Sequence, residues 1–231
     1  MFALAATLQT LGPLKARVID AQPNQVVERV VVLMHGFGAP GDDLVGLASV
    51  LPMTKGLRYV FPEAPIDMGE GRAWWLIDWA ERARYERSGE VVKYMSLVPQ
   101  GLADASAQVS AMLDHIEKEW KIAPEKLVLG GFSQGSMLAI DVAVHRAKKP
   151  GALVLMSSSL IATARWTDKA SSLKGVPVLL SHGKQDVVLP FFVAEQLRDV
   201  LGKAGASVQW IPFTGGHAIP DAVITGLRQF L

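Results

Sequence analysis

Short, nearly all-apolar runs alternate with longer stretches of helical periodicity from about residue 29 onward. This alternation confines the chain to βαβ units wound around a mostly parallel sheet, and so to the α/β class. The runs are Arg29–Met34, Leu57–Phe61, Lys126–Phe132, Ala152–Ser157, Val176–His182 and Ser207–Phe213. Most lack the in-out alternation of a half-exposed strand, as expected where helices cover both faces of the sheet.

Between the later runs, Leu102, Ala105, Val109, Leu113, Ile116 and Trp120 recur at three- and four-residue spacing, which puts them on one helix face. Phe192, Val193, Leu197, Val200 and Leu201 repeat the pattern up to Gly202 and Gly205, and Ala222, Val223, Leu227 and Phe230 predict a closing helix. Upstream, Lys15–Asp20 and Gln25–Val32 flank Ala21-Gln22-Pro23-Asn24 and read as a hairpin on the sheet edge. Residues 63–98 break the rhythm: Trp74, Trp75 and Trp79 precede the mixed-charge stretch Glu81–Lys93, which reads as a long, lid-like excursion. With no repeat, low-complexity tract or linker-like composition, a single domain over residues 1–231 is expected.

Half of the 231 residues are hydrophobic and 19% are charged, enough apolar side chain for one sizeable core. Lys and Arg total 23 against 22 Asp and Glu, a net charge of +1 with no segment of one sign, which argues against a nucleic-acid partner. There is no cysteine, so disulfides, thiolate metal sites and a catalytic thiol are excluded. The apolar N-terminal stretch lacks a basic segment before it, and nowhere do about twenty uninterrupted apolar residues occur. The expectation is a cytoplasmic protein without a signal peptide or integral membrane association.

Gly131-Phe132-Ser133-Gln134-Gly135 matches G-x-S-x-G where one apolar run ends and a helical pattern begins. A sharp strand-to-helix turn would hold the Ser133 hydroxyl out at the carboxyl edge of the sheet. Side chains at the flanking positions would collide with that turn, hence Gly131 and Gly135. A serine hydroxyl becomes a useful nucleophile only when a base takes its proton, so the motif demands a histidine and a group to orient it.

Of the five histidines, His115 and His145 fall in helical stretches and read as solvated or packed. His35 and His182 each precede a glycine after an apolar run, a place for a structural hydrogen bond beneath a loop. His217, in Thr214-Gly215-Gly216-His217-Ala218, lies on a loop after the last strand and can reach a nucleophile on a central one. Asp186 follows another strand, in His182-Gly183-Lys184-Gln185-Asp186, and would orient the imidazole; the alternative is an Asx-turn aspartate near the helix start at Pro190. The order Ser133, Asp186, His217 is the one α/β-hydrolases use. Donors for a developing oxyanion would come from the His35-Gly36-Phe37-Gly38 loop and from the Gln134 N–H at a helix start.

Met34-His35-Gly36-Phe37-Gly38, Gly131-Phe132-Ser133-Gln134-Gly135, His182-Gly183-Lys184-Gln185-Asp186 with Val188-Leu189-Pro190, and Gly216-His217 together resemble the phospholipase/carboxylesterase family of α/β-hydrolases, which includes acyl-protein thioesterases. The resemblance runs from about residue 29 to near the end. It implies the α/β-hydrolase fold, with Ser133 as nucleophile, Asp186 and His217 as its partners, and the Phe37 and Gln134 amides as the oxyanion hole. Ser136 stands where the family often has glycine, and Leu189 where valine is frequent. Arg72-Ala73-Trp74-Trp75 resembles the family's loop over the substrate, although its continuation here is long.

The implied activity is a serine carboxylesterase acting through an acyl-serine intermediate on a small-molecule acyl ester. Acyl thioester or lysophospholipid hydrolysis uses the same machinery, and a non-catalytic binding module on the same fold is the rival from another class. Met68, Trp74, Trp75 and Leu189 are candidates to line an apolar acyl pocket, against the alternative that the tryptophans simply fill the core. No HExxH or comparable metal-ligand spacing occurs, and the glycine-rich loop at His35 lacks the lysine of a P-loop, so neither metal nor cofactor is expected. The reading leaves room for a homodimer.

Overall fold

The computed structural model describes residues 6–22 and 24–231. Residues 1–5, where the apolar N-terminal stretch begins, and Pro23, within the expected Ala21–Asn24 turn, lie outside the described residues. In chain order the strands are β1 (Thr7–Leu11), β2 (Leu14–Asp20), β3 (Arg29–Met34), β4 (Leu57–Pro62), β5 (Ile66–Asp67), β6 (Arg72–Ala73), β7 (Leu127–Phe132), β8 (Ala152–Met156), β9 (Pro177–Gly183) and β10 (Ser207–Phe213). The helices are α1 (Trp79–Arg87), α2 (Val91–Ser96), α3 (Leu102–Trp120), α4 (Gln134–His145), α5 (Thr163–Ala170), α6 (Phe191–Lys203) and α7 (Asp221–Phe230).

Among the described residues the main sheet has eight strands in the order β1-β2-β4-β3-β7-β8-β9-β10. It is parallel from β4 to β10, and only β2, paired antiparallel with β4 on one side and with the edge strand β1 on the other, runs the opposite way. Successive residues of β3 feed opposite cores: Val30, Val32 and Met34 face the side covered by α3, α4 and α6, while Val31 and Leu33 face Leu44, Ala48 and Leu51 together with Val223 and Leu227 of α7. Burial on both sides is the reason the central strands read as unbroken apolar runs.

The N-terminal hairpin differs from the expectation. β2 does turn back on a neighbour, but that neighbour is β1, with Leu11 paired to Leu14 across Gly12-Pro13. Gly12 has φ +57°, and the fixed negative φ of Pro13 excludes the turn type that needs both central residues positive, leaving the type II′ arrangement. Residues 25–28 form no strand; Gln25 instead bonds the Leu57 carbonyl and the Gly56 N–H, and β3 is already flanked by β4 and β7.

Residues 63–98 leave the sheet after β4, form the small β5–β6 hairpin and then α1 and α2. Asp78 caps α1 by accepting from the Glu81 N–H at 2.8 Å, yet α1 buries no residue fully. The hairpin is laced to the loop after β3: Gly38 N–H donates to the Arg72 carbonyl and Arg72 N–H to the Ala39 carbonyl, at 2.8 and 2.9 Å.

Candidate active site

Ser133 sits between β7 and α4 with φ +52° and ψ −118°, a conformation that non-glycine residues rarely adopt. The turn is fixed from several directions. Ser133 N–H donates to the Met156 carbonyl of the adjacent strand, and its own carbonyl accepts from the Ser136 and Met137 amides. The Ser136 hydroxyl adds a bond to that carbonyl at 2.6 Å, which gives a purpose to serine at the position where glycine is frequent. A Cβ on Gly131 or on Gly135 would run into one and the same atom, the carbonyl oxygen of Met34.

Asp186, in the loop after β9, meets His217, in the loop after β10, with its Oδ2 2.7 Å from His217 Nδ1. Its Oδ1 accepts from the Val188 and Leu189 amides at 2.8 and 2.9 Å. The two readings of this aspartate are therefore both present in one carboxylate: one oxygen makes the Asx-type turn and the other receives the imidazole. The loops are held together by Lys184 N–H to the Phe213 carbonyl and Gln185 N–H to the Gly215 carbonyl. Gly183 lies so close to Gly215 and Gly216 that no side chain fits there.

A second histidine reaches Oδ2 beside His217. His182 is fully buried, and its Nε2 lies 2.9 Å from the Leu189 carbonyl and 3.2 Å from Asp186 Oδ2. Burial pushes the Asp186 carboxyl up, but the hydrogen bonds from His182, His217 and the Leu189 amide outweigh it and hold the group well below the usual carboxylate range.

Ser133, Gln134, His217, Gly36, Phe37 and Trp75 all line one cavity of about 700 Å³ at the carboxyl edge of the sheet. The His217 ring rests against Phe132, 4.7 Å between centroids. Gln134 opens α4, so its N–H belongs to the first turn, whose amides have no intrahelical acceptor. Under the Phe37 loop, His35 is buried with Nε2 accepting from the Ala64 N–H at 3.0 Å, which leaves its proton on Nδ1, 2.8 Å from the Gly36 carbonyl. Burial lowers the pKa of His35 and keeps this arrangement neutral. The Phe37 ring meets the Trp79 ring of α1 edge to face at 5.7 Å.

Of the expected pocket residues, Trp75 and Leu189 line the cavity and the other two do not. Trp74 is buried beneath it, its indole N–H donating to the His35 carbonyl at 3.0 Å, so it belongs to the core. Met68 is 37% exposed beside the β5–β6 turn, where no wall forms around it. The sequence pointed to neither Arg82, Tyr94 and Met95 from the excursion nor Met137 and Ile161, all of which line the cavity. A local motif signals none of them, because they converge only through tertiary packing.

A mostly parallel sheet covered on both faces, with a serine on a strand-to-helix turn and an Asp–His pair on the loops of later strands, defines an α/β-hydrolase. Residues 15–231 match the model of the phospholipase/carboxylesterase family, and the chain belongs to that family of ester hydrolases. Acyl-protein thioesterase 1 of Kluyveromyces lactis is 31% identical over 191 residues, 77% of this chain and 78% of the relative. Among solved structures, esterase PE8 superposes with a TM-score of 0.80 at 25% identity, covering 94% of this chain and 97% of that one. A carboxylesterase from Mesorhizobium loti gives 0.79 at 19% identity, with 97% of each chain covered, a likeness of fold. No helix among the described residues is long and apolar enough to cross a membrane.

Proposed function

We propose that this chain is a serine carboxylesterase that cleaves small-molecule acyl esters through an acyl-serine intermediate. Ser133 is the nucleophile, His217 the base and then the acid, and Asp186 its orienting partner. The observation that carries this reading is the 2.7 Å bond from His217 Nδ1 to Asp186 Oδ2, with Ser133 and His217 on the wall of one cavity. With the Nδ1 proton committed to Asp186, Nε2 is the nitrogen free to take the serine proton. The hydroxyl oxygen attacks the ester carbonyl, the Phe37 and Gln134 amides stabilise the tetrahedral oxyanion, and His217 returns the proton to the departing alkoxide. Water, deprotonated by the same imidazole, then attacks the acyl-enzyme and releases the acid.

The whole chain acts as one hydrolase domain, with residues 63–98 covering the acyl side of the cavity. Its apolar wall suits an aliphatic acyl group, and no cofactor is required by these steps. Hydrolysis of chromogenic esters from two to sixteen acyl carbons tests the reading. Serine-dependent turnover, abolished in Ser133→Ala, is expected; full activity in that variant sinks the mechanism. Resemblance to an acyl-protein thioesterase makes thioester cleavage the second reading, and matched oxygen and sulfur esters distinguish the leaving groups.

A further inference from the structure

Two cavities meet at one arginine. The main cavity shares Arg82, Tyr94, Met95 and Val188 with a smaller chamber of about 210 Å³ on the far side of those side chains. Val91 and Pro190 form the chamber's apolar wall, Glu86 also lines it with a side chain that is half exposed, and Val187, which is well exposed, marks its outer edge. The four shared residues are thus a partition between α1–α2 and the loop that carries Asp186.

Arg82 closes that partition. Its Nη2 donates to the Val188 carbonyl at 2.7 Å and its Nε to Glu86 Oε1 at 2.7 Å, while its guanidinium carbon lies 5.5 Å from the Trp79 ring centroid. Only 18% of its side chain is exposed. An acyl chain growing away from Ser133 into the main cavity meets a charged group held by two hydrogen bonds. Methylenes cannot replace those bonds, so pushing Arg82 aside strips a carbonyl of its donor and gains nothing polar in return. Behind it lies space walled mainly by Val91, Met95, Val188 and Pro190, where each further methylene removed from water favours binding by roughly fourfold.

We propose that Arg82 sets the upper limit of acyl length, and that the chamber behind it is a second compartment for unbranched acyl chains, shut by the Arg82–Val188 bond. The inference rests on the ester-hydrolase reading above, with the acyl group in the main cavity. Removing the guanidinium joins the two spaces and admits longer chains.

The experiment compares kcat/KM on p-nitrophenyl esters of six and fourteen acyl carbons for the wild type, Arg82→Ala and Arg82→Gln, with thermal unfolding of each protein as the folding control. The fourteen-to-six ratio is expected to rise at least about tenfold in both variants, the gain of a few buried methylenes. Val91→Phe, which fills the chamber from its other wall, should return the ratio of Arg82→Ala toward the wild-type value. If Arg82→Ala fails to fold, the shorter but polar Arg82→Gln carries the comparison. A ratio within about twofold of wild type in a folded variant, alongside Ser133-dependent turnover, overturns the assignment of Arg82 alone. Wild-type turnover that does not depend on Ser133 overturns the ester-hydrolase reading itself.

Discussion

Gln134 Oε1 accepts a hydrogen bond from the Trp74 backbone N–H at 3.0 Å. The Nε2 of the same side chain donates to the Trp75 carbonyl at 2.8 Å, so the residue after Ser133 grips the excursion over the cavity. Gln134→Ala leaves both backbone groups buried and unpartnered, at about 1–3 kcal/mol each. Denaturant unfolding should show a loss of about 2–4 kcal/mol, together with reduced ester turnover because Trp75 is no longer anchored. Stability unchanged to within about 0.5 kcal/mol would refute this use of the side chain.

Asp186 is depressed below the ordinary carboxylate range, and the sign of its linkage follows. Its contribution to stability is fully present above the unfolded-state value near pH 4 and is lost as pH falls toward the folded-state value. Asp186→Asn should flatten the acid limb of stability below about pH 4. It should also lower kcat by about four orders of magnitude at neutral pH, because an amide can donate to Nδ1 and favour the wrong tautomer. Parallel acid-unfolding curves for the two proteins would contradict the first expectation.

Glycines in this chain divide by what a methyl group would meet. At Gly135 it meets the Met34 carbonyl, and backbone cannot move aside, so Gly135→Ala should yield insoluble or inactive protein. At Gly202, on α6, nothing lies within 4 Å and φ is not positive. Gly202→Ala should therefore stabilise the fold by about 0.4–1 kcal/mol. Paired thermal melts check both, and a well-folded, active Gly135→Ala would disprove the collision.

Asp141 of α4 is wholly buried and accepts from Arg165 at 2.7 and 2.9 Å and from the Trp166 indole at 3.0 Å, fastening α5 to the helix that follows Ser133. Burial raises its pKa, but these partners and Ser106 outweigh that and keep it below its ordinary value. Removing the carboxylate strands a guanidinium that is 27% exposed, which reduces the cost below that of a fully buried pair. Asp141→Ala should lose about 2–4 kcal/mol by urea unfolding, and a loss under about 1 kcal/mol would count against the anchor.

The parallel core was legible in the sequence because burial on both faces leaves unbroken apolar runs; Arg29–Met34 and Ser207–Phe213 have the expected limits. The antiparallel edge was legible in part: Lys15–Asp20 falls within β2, but its partner β1 was not, because the Gly12-Pro13 turn is short and the Gln25–Val32 segment mixes a linker with a central strand. Helix α1 has no signature in the sequence for a related reason: with no fully buried residue it carries no apolar stripe. Ser133, Asp186 and His217 stand out in the sequence through turn glycines and their order along the chain, and the fold pairs Asp186 with His217 and sets Ser133 and His217 on one cavity. Trp74 and Trp75 cannot be told apart that way, because adjacent residues in an irregular loop have no fixed period, and only the fold sends one into the core and the other to the cavity.

The most direct test of the account is intact-protein mass spectrometry of the chain quenched in acid within milliseconds of mixing with a p-nitrophenyl ester. A covalent adduct of the acyl mass, mapping to the peptide that contains Ser133 and absent from Ser133→Ala, is the predicted result. Burst release of nitrophenol with no adduct on that serine, or an adduct on another residue, would contradict it.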